Sequence, residues 1–227
     1  MSVAPLPARV YDADAAPVRL GGPADLAPCL AVDDSFRTAY VWQMEVHRDG
    51  AADVPGRPAD ADQPLGVKFR SVRLPLTQLV PGVAATYSRQ ERLGRWERAD
   101  ALLVAGPRPP APDPAGDPPP VPVGWGYALL AADRLGGLAW VHELAVGELH
   151  RGHGLGSRLL EAAKAWAGAT VEAGGAGGCR ALLVDLAPKN APAIAFCRRR
   201  GFRFCGHTDY TAVGGDIHLY FLCPLTG

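Results

Sequence analysis

The stretch Arg151-Gly152-His153-Gly154-Leu155-Gly156 carries three glycines at alternate positions. The alternating apolar run 138–146 (LAWVHELAV) precedes it and predicts a strand, and the run 157–173 follows it with apolar residues at helical spacing. Glycine lets backbone N–H groups approach a ligand closely, and a helix N-terminus adds unpaired donors and partial positive charge. The stretch therefore predicts an anion site suited to a diphosphate, to which Arg151 adds a charge-assisted contact.

Other phosphate-binding patterns fit this loop less well. A nucleoside triphosphate loop needs Gly-Lys-Ser/Thr at its end, whereas Ser157 follows Gly156 with no lysine between them. The dinucleotide pattern G-x-G-x-x-G has a different glycine spacing. On the glycines alone, an ordinary tight turn is an equal alternative.

The segments around the loop predict the fold class. On the C-terminal side, 181–186 (ALLVDL) predicts a buried strand, 191–200 a helix, and 202–207 and 217–222 two further strands. On the N-terminal side, 101–105 (ALLVA) and 124–132 predict paired strands that flank a proline-rich hairpin insertion, 107–122. We expect an α/β fold with a mixed, partly parallel central sheet flanked by helices.

The first hundred residues are less regular. Strands are expected at 40–46 and 67–74, a polar helix at 88–98, and an exposed loop at 50–64. A short helix is expected at 23–32, where Pro28 would kink or divide it.

Composition narrows the possible partners. The 23 basic and 23 acidic residues leave a net charge of zero, so we expect neither nucleic acid nor an anionic membrane as a partner. The N-terminal residues lack a secretory pattern, and no run approaches the ~20 apolar residues that span a bilayer. The five cysteines form no C-x-x-C pair, which favours reduced thiols in a cytoplasmic protein over a disulfide or metal framework.

Two motifs resemble those of one family. Leu144-Ala145-Val146, four residues, then Arg151-Gly152-x-Gly154-x-Gly156 is similar to the coenzyme A signature of the GNAT acetyltransferase superfamily. Asn190-x-x-Ala193-x-x-Phe196, then Gly201-Phe202, resembles the superfamily's next motif. The resemblance covers 101–222. The first hundred residues loosely resemble streptothricin-type antibiotic acetyltransferases, around Asp34-Ser35-Phe36 and 67–74.

The resemblance implies acetyl-coenzyme A as co-substrate and a role for each matching residue. Backbone groups of Leu144 and Val146 would pair with the pantetheine arm, the loop would hold the pyrophosphate, and Asn190 would hydrogen-bond near the pantetheine or a bound water. We expect a single domain over 1–227, with a coenzyme-binding core at 101–227 and a variable acceptor side at 1–100. The implied coenzyme-binding residues are Leu144, Ala145, Val146, Arg151, Gly152, His153, Gly154, Leu155, Gly156, Ser157 and Asn190.

Acetyl transfer to an amine requires a base, because an amine with a pKa near 10 must lose a proton at neutral pH. Glu143 and Asp185 stand where a base is plausible, and the alternative for each is a polar residue satisfied at a strand end. The superfamily usually has a tyrosine acid where this chain has Cys197, so Cys197 is either the acid or a small buried residue. Tyr210 or Tyr220 is a further candidate acid.

The sequence therefore predicts an N-acetyltransferase that acts on a primary amine of a small molecule, such as an antibiotic or metabolite, within a ternary complex. Two alternatives remain open: a protein or peptide amine as acceptor, and a non-catalytic acyl-coenzyme A-binding regulatory module. A homodimer is possible, because domains of this superfamily often dimerise.

Overall fold

The computed structural model describes residues 17–48, 65–82, 87–107, 125–133, 135–169, 179–209 and 215–225. The interpretations of 50–64 and of Tyr210, and nearly all of the proline-rich insertion, lie outside these residues. The chain divides into two compact units. The first comprises Met1–Asp34, Pro81–Val184 and Leu222–Gly227, and the second comprises Ser35–Val80 and Asp185–Phe221.

The helices and strands follow one another along the chain in this order: β1 (Val18–Leu20), a 3-10 turn (Pro23–Asp25), α1 (Leu26–Leu30), β2 (Phe36–Arg48), β3 (Leu65–Val80), α2 (Arg89–Glu97), β4 (Ala101–Ala105), β5 (Gly126–Asp133), β6 (Leu138–Val146), a 3-10 turn (Glu148–His150), α3 (Leu155–Ala169), β7 (Ala181–Leu186), α4 (Ala191–Arg199), β8 (Arg203–Asp209) and β9 (Ile217–Pro224).

The strands of the first unit follow the order β1-β4-β5-β6-β7 in their sheet, and in the second unit β9 lies next to β8. β4 pairs antiparallel with β5, from Ala101↔Leu130 to Ala105↔Gly126, as the hairpin prediction requires. β5 and β6 are also antiparallel, whereas β6 and β7 are parallel. The helix α3 packs against β5 and β6. The expected α/β class with a mixed, partly parallel sheet flanked by helices is confirmed.

The core of the first unit follows from periodicity. On α3, Leu155, Leu159, Leu160, Ala163 and Ala167 are buried, which matches the apolar spacing in the sequence. The helix begins two residues before the expected start because the chain already leaves its left-handed conformation after Gly154. At the front of this unit Pro28 does not divide the helix: it lies in the first turn of α1, where its missing N–H is tolerated.

In the second unit, β2 and β3 form a separate two-stranded antiparallel sheet. Both strands are longer than expected, and the second continues past Leu74 through Pro75. The register jumps from Thr38↔Gln78 to Tyr40↔Arg73, so Pro75 falls in an irregularity, where a residue without an N–H is accommodated. In the described ranges no helix is long and apolar enough to cross a membrane.

Candidate functional site

The glycine loop joins the end of β6 to the start of α3 within the first unit. Gly152 and Gly154 have φ angles of +83° and +80°, a backbone conformation that side-chain-bearing residues rarely adopt. A Cβ atom at either position would meet nothing within 4 Å, so the backbone conformation, and not crowding, requires glycine. The first turn of α3 also supplies N–H groups without intrahelical partners. These residues fit the diphosphate of a coenzyme.

The end of β6 is paired differently on its two sides. Its register with β5 continues to Val146↔Gly126, and His142 is the bulged residue that this register skips. Its parallel register with β7 covers Leu138↔Ala181 to Val141↔Val184. Over the described strands, the stretch from Leu144 to Val146 therefore has β5 on one side and lies beyond the β7 register on the other. An extended ligand could use that side for backbone pairing.

Arg151 is held by two backbone carbonyls. Its Nε donates to the oxygen of Val146 at 2.8 Å, and its Nη2 donates to the oxygen of Asp33 at 3.0 Å. Because these bonds join the loop to the end of β6 and to the segment after α1, Arg151 fixes the loop as well as bringing charge to it. Nearby, partial burial and the charge of His153 lower the pKa of His150, which favours a neutral ring there.

Glu143 lies in a buried polar cluster of the first unit. Its carboxylate Oε2 accepts a hydrogen bond from the Tyr127 hydroxyl at 2.9 Å, and Arg92 Nη2 donates to the same hydroxyl at 3.2 Å. The Nε of Arg95 lies 3.6 Å from Glu143 Oε1. Burial and the charge of Glu143 raise the pKa of Tyr127, so its hydroxyl stays protonated and donates.

Sequence reasoning missed Tyr127, Arg92 and Arg95. The signal for the arginines was their spacing of three residues on a predicted helix, which places them on one face but does not identify their partner. Tyr127 was predicted only as one of several apolar residues of a strand, with no functional role.

Asp185 and Asn190 lie in the second unit and both have protein partners. Asp185 Oδ1 and His218 Nδ1 are 2.8 Å apart, and each side chain is 35% exposed. Asn190 is the N-cap of α4, where its Oδ1 accepts from the N–H of Ala193 at 3.2 Å. The described partner of Asp185 is thus a histidine.

The candidate acids differ in their surroundings. Burial raises the pKa of Cys197 to about 12. A thiol of that pKa is a poor proton donor to a coenzyme thiolate, since an ordinary thiol has a pKa near 8.5. Tyr220 accepts a hydrogen bond from the hydroxyl of Thr208 at 2.6 Å. The burial of Cys197 agrees with the interpretation of a small core residue.

Part of the chain is similar to a known protein family, and most of it shares a fold with solved structures. Residues 118–202 match the model of the acetyltransferase (GNAT) family. No curated protein sequence matches the chain. Two solved structures share its fold at a TM-score of 0.62, over 93% of this chain and 99% of theirs: nourseothricin acetyltransferase at 24% identity, and a Bacillus anthracis protein assigned as a streptothricin acetyltransferase, in complex with acetyl coenzyme A, at 15% identity.

The family match includes β6, the glycine loop, α3, β7 and α4, which are the elements that carry both sequence motifs. The segment 118–202 is therefore a GNAT acetyltransferase domain, and the chain is an acetyl-coenzyme A-dependent N-acetyltransferase.

Proposed function

We propose that the enzyme transfers acetyl from acetyl-coenzyme A to a primary amine of a small molecule, by direct attack within a ternary complex. The observation that carries this proposal is the continuous segment from β6 through the glycine loop to α3. The end of β6 continues beyond its register with β7, and the loop places glycines with positive φ at the N-terminus of a helix. The structures that share the fold over nearly the whole chain are named for nourseothricin and streptothricin, which favours a small-molecule acceptor over a protein.

The residues proposed to bind acetyl-coenzyme A follow one another along the chain. Leu144, Ala145 and Val146 are the proposed pairing edge for the pantetheine arm, and the residues from Arg151 to Ser157 are the proposed pyrophosphate loop. We keep Asn190 as a proposed contact near the pantetheine or a bound water, made by the amide nitrogen because its Oδ1 caps α4. Acetyl-coenzyme A supplies an activated acetyl thioester.

Glu143 is the proposed base, since it directly precedes the pairing edge on β6. Taking a proton from an ammonium group with a pKa near 10 at pH 7 costs about three pK units, or roughly 4 kcal/mol, which a base next to the nitrogen offsets. The amine lone pair then forms the N–C bond, and the C–S bond breaks. Backbone N–H groups of 144–146 would stabilise the oxyanion. The thiolate needs no side-chain acid, because its conjugate acid is only moderately weak.

A thiol-release assay across a panel of small primary amines tests the proposal. We expect coenzyme A release with at least one amine. Binding of acetyl-coenzyme A without release on any amine would instead favour the non-catalytic module. Release on peptide amines alone would favour the protein or peptide acceptor.

Substitution of Arg151 tests the loop assignment. We expect Arg151→Ala to raise the KM for acetyl-coenzyme A on the order of tenfold to a hundredfold, because a charge-assisted contact contributes about 1.5–3 kcal/mol. Lys164→Ala is the control: it removes a cation from α3, the helix that follows the loop, where Lys164 pairs with Glu161 at 3.0 Å, and it should leave this KM unchanged. An unchanged KM in Arg151→Ala would remove the loop assignment.

A further inference from the structure

The two carboxylate oxygens of Glu143 have different surroundings. The Glu143 side chain is only 2% exposed, and its Oε2 is satisfied by Tyr127. Its Oε1 is buried and has no hydrogen-bond partner among the described residues. A buried carboxylate oxygen in that state is costly and indicates a position meant for a polar ligand.

The two arginines of this cluster are held with different strength. Arg92 is buried, and its guanidinium donates to the carbonyl of Leu30 at 3.2 Å and to the Tyr127 hydroxyl. The Arg95 side chain is 29% exposed, and its Nε lies 3.6 Å from Glu143 Oε1, beyond hydrogen-bond distance. Arg92 is therefore a fixed part of the cluster, whereas Arg95 is a loosely held counter-ion.

Arg95 also lines a surface depression of about 450 Å³, together with Tyr87, Gln90, Glu91, Gly94 and Arg98. Its guanidinium lies over the ring of Tyr87, 4.8 Å from the ring centroid. A cation of the chain itself thus sits between an aromatic face and a carboxylate oxygen. These are the contacts that recognise an organic ammonium ion.

We propose that the depression is the acceptor subsite and that Arg95 is a placeholder, which the ammonium group of the acceptor displaces from Glu143 Oε1. The acceptor is then an amine at the end of an unbranched alkyl arm, because the arm must fill the space of the arginine side-chain end. This proposal rests on the proposed function: the displaced position is next to the oxygen that would receive the amine proton.

The test uses the full chain with coenzyme A bound, and n-pentylammonium as the probe in an NMR-detected titration. Arg95→Met keeps the apolar stem and removes the cation, so it should bind the probe roughly threefold to tenfold more tightly than the wild type. Arg98→Met removes the same charge from the same depression and should bind the probe within about twofold of the wild type. Equal or weaker binding by Arg95→Met overturns the placeholder, and Arg95→Gln is the second variant if Arg95→Met does not fold.

Glu143→Gln gives an independent binding readout that needs no turnover. Its affinity for n-pentylammonium should fall to the affinity for 1-pentanol, the uncharged isostere, and an unchanged preference for the cation overturns the subsite. Kinetics separate the two proposals. If the wild type turns over normally but Arg95→Met does not lower the KM for the acceptor, the placeholder role of Arg95 is overturned alone. If no amine is acetylated at all, the proposed function is overturned and the placeholder role with it.

Discussion

Glu143 and Asp185 occupy comparable places in the sequence, near the ends of the two parallel strands β6 and β7, but their surroundings differ sharply. The Glu143 side chain is 2% exposed and lies against Tyr127 and Arg95, with Arg92 bonded to the same tyrosine, whereas the Asp185 side chain is 35% exposed and pairs with one histidine. A buried charge must be compensated by specific partners, and an exposed pair is weakened by solvent. Burial and hydrogen-bond partners, and not position at a strand end, therefore distinguish the two candidate bases.

Substitution of the two carboxylates gives the largest expected effect. Glu143→Gln should lower kcat/KM for the amine by about 10²–10⁴-fold and move the rate–pH profile towards alkaline pH, because general-base catalysis contributes that much. Asp185→Asn should lower it less than about tenfold, since the exposed Asp185–His218 pair contributes ~1 kcal/mol or less. Steady-state kinetics from pH 6 to pH 10 measure both effects. A larger loss in Asp185→Asn than in Glu143→Gln would contradict the assignment of Glu143 as the base.

Removal of the Tyr127 hydroxyl should have an intermediate effect. Tyr127→Phe leaves Glu143 Oε2 and Arg92 Nη2 buried without this partner, which costs about 1–3 kcal/mol of unfolding free energy. Urea denaturation measures the effect. Tyr220→Phe, which loses only the half-buried Thr208 contact, should cost less unfolding free energy.

Substitution of Cys197 should have the smallest effect on activity. Cys197→Ala should change kcat by less than about twofold, because a thiol with a pKa of about 12 is a poor acid. A loss of kcat of more than about tenfold in the folded variant would indicate that Cys197 takes part in the reaction.

The same residue predicts an alkaline loss of stability. The folded state keeps the thiol protonated while the unfolded chain ionises near pH 8.5, so the contribution is constant below that pH and is lost as the pH rises from about 8.5 to about 12. Between pH 8.5 and pH 10 this amounts to roughly 2 kcal/mol, and Cys197→Ala should remove that slope in urea denaturation. A slope unchanged by the substitution would contradict the buried assignment.

The donor side of the enzyme could be predicted closely from sequence. The bounds of β6 and the buried positions of α3 agree with the periodicity, because each depends on residues close together in the chain. The strands β2 and β3 were both predicted too short. In β3, Pro75 disfavours a strand by itself, and an irregularity in the register accommodates it only once the two strands pair.

By itself, the sequence determined the glycine loop and most of the order of helices and strands, since these are encoded in short-range periodicity and spacing, and the resemblance of its motifs implied the coenzyme. Only the tertiary structure decided which carboxylate is buried and which side chains surround it. Tyr127 is 16 positions from Glu143 and 35 from Arg92, and Arg92 reaches a carbonyl 62 positions away. Hydrogen-bond satisfaction of a buried charge depends on such long-range contacts, which no local pattern encodes.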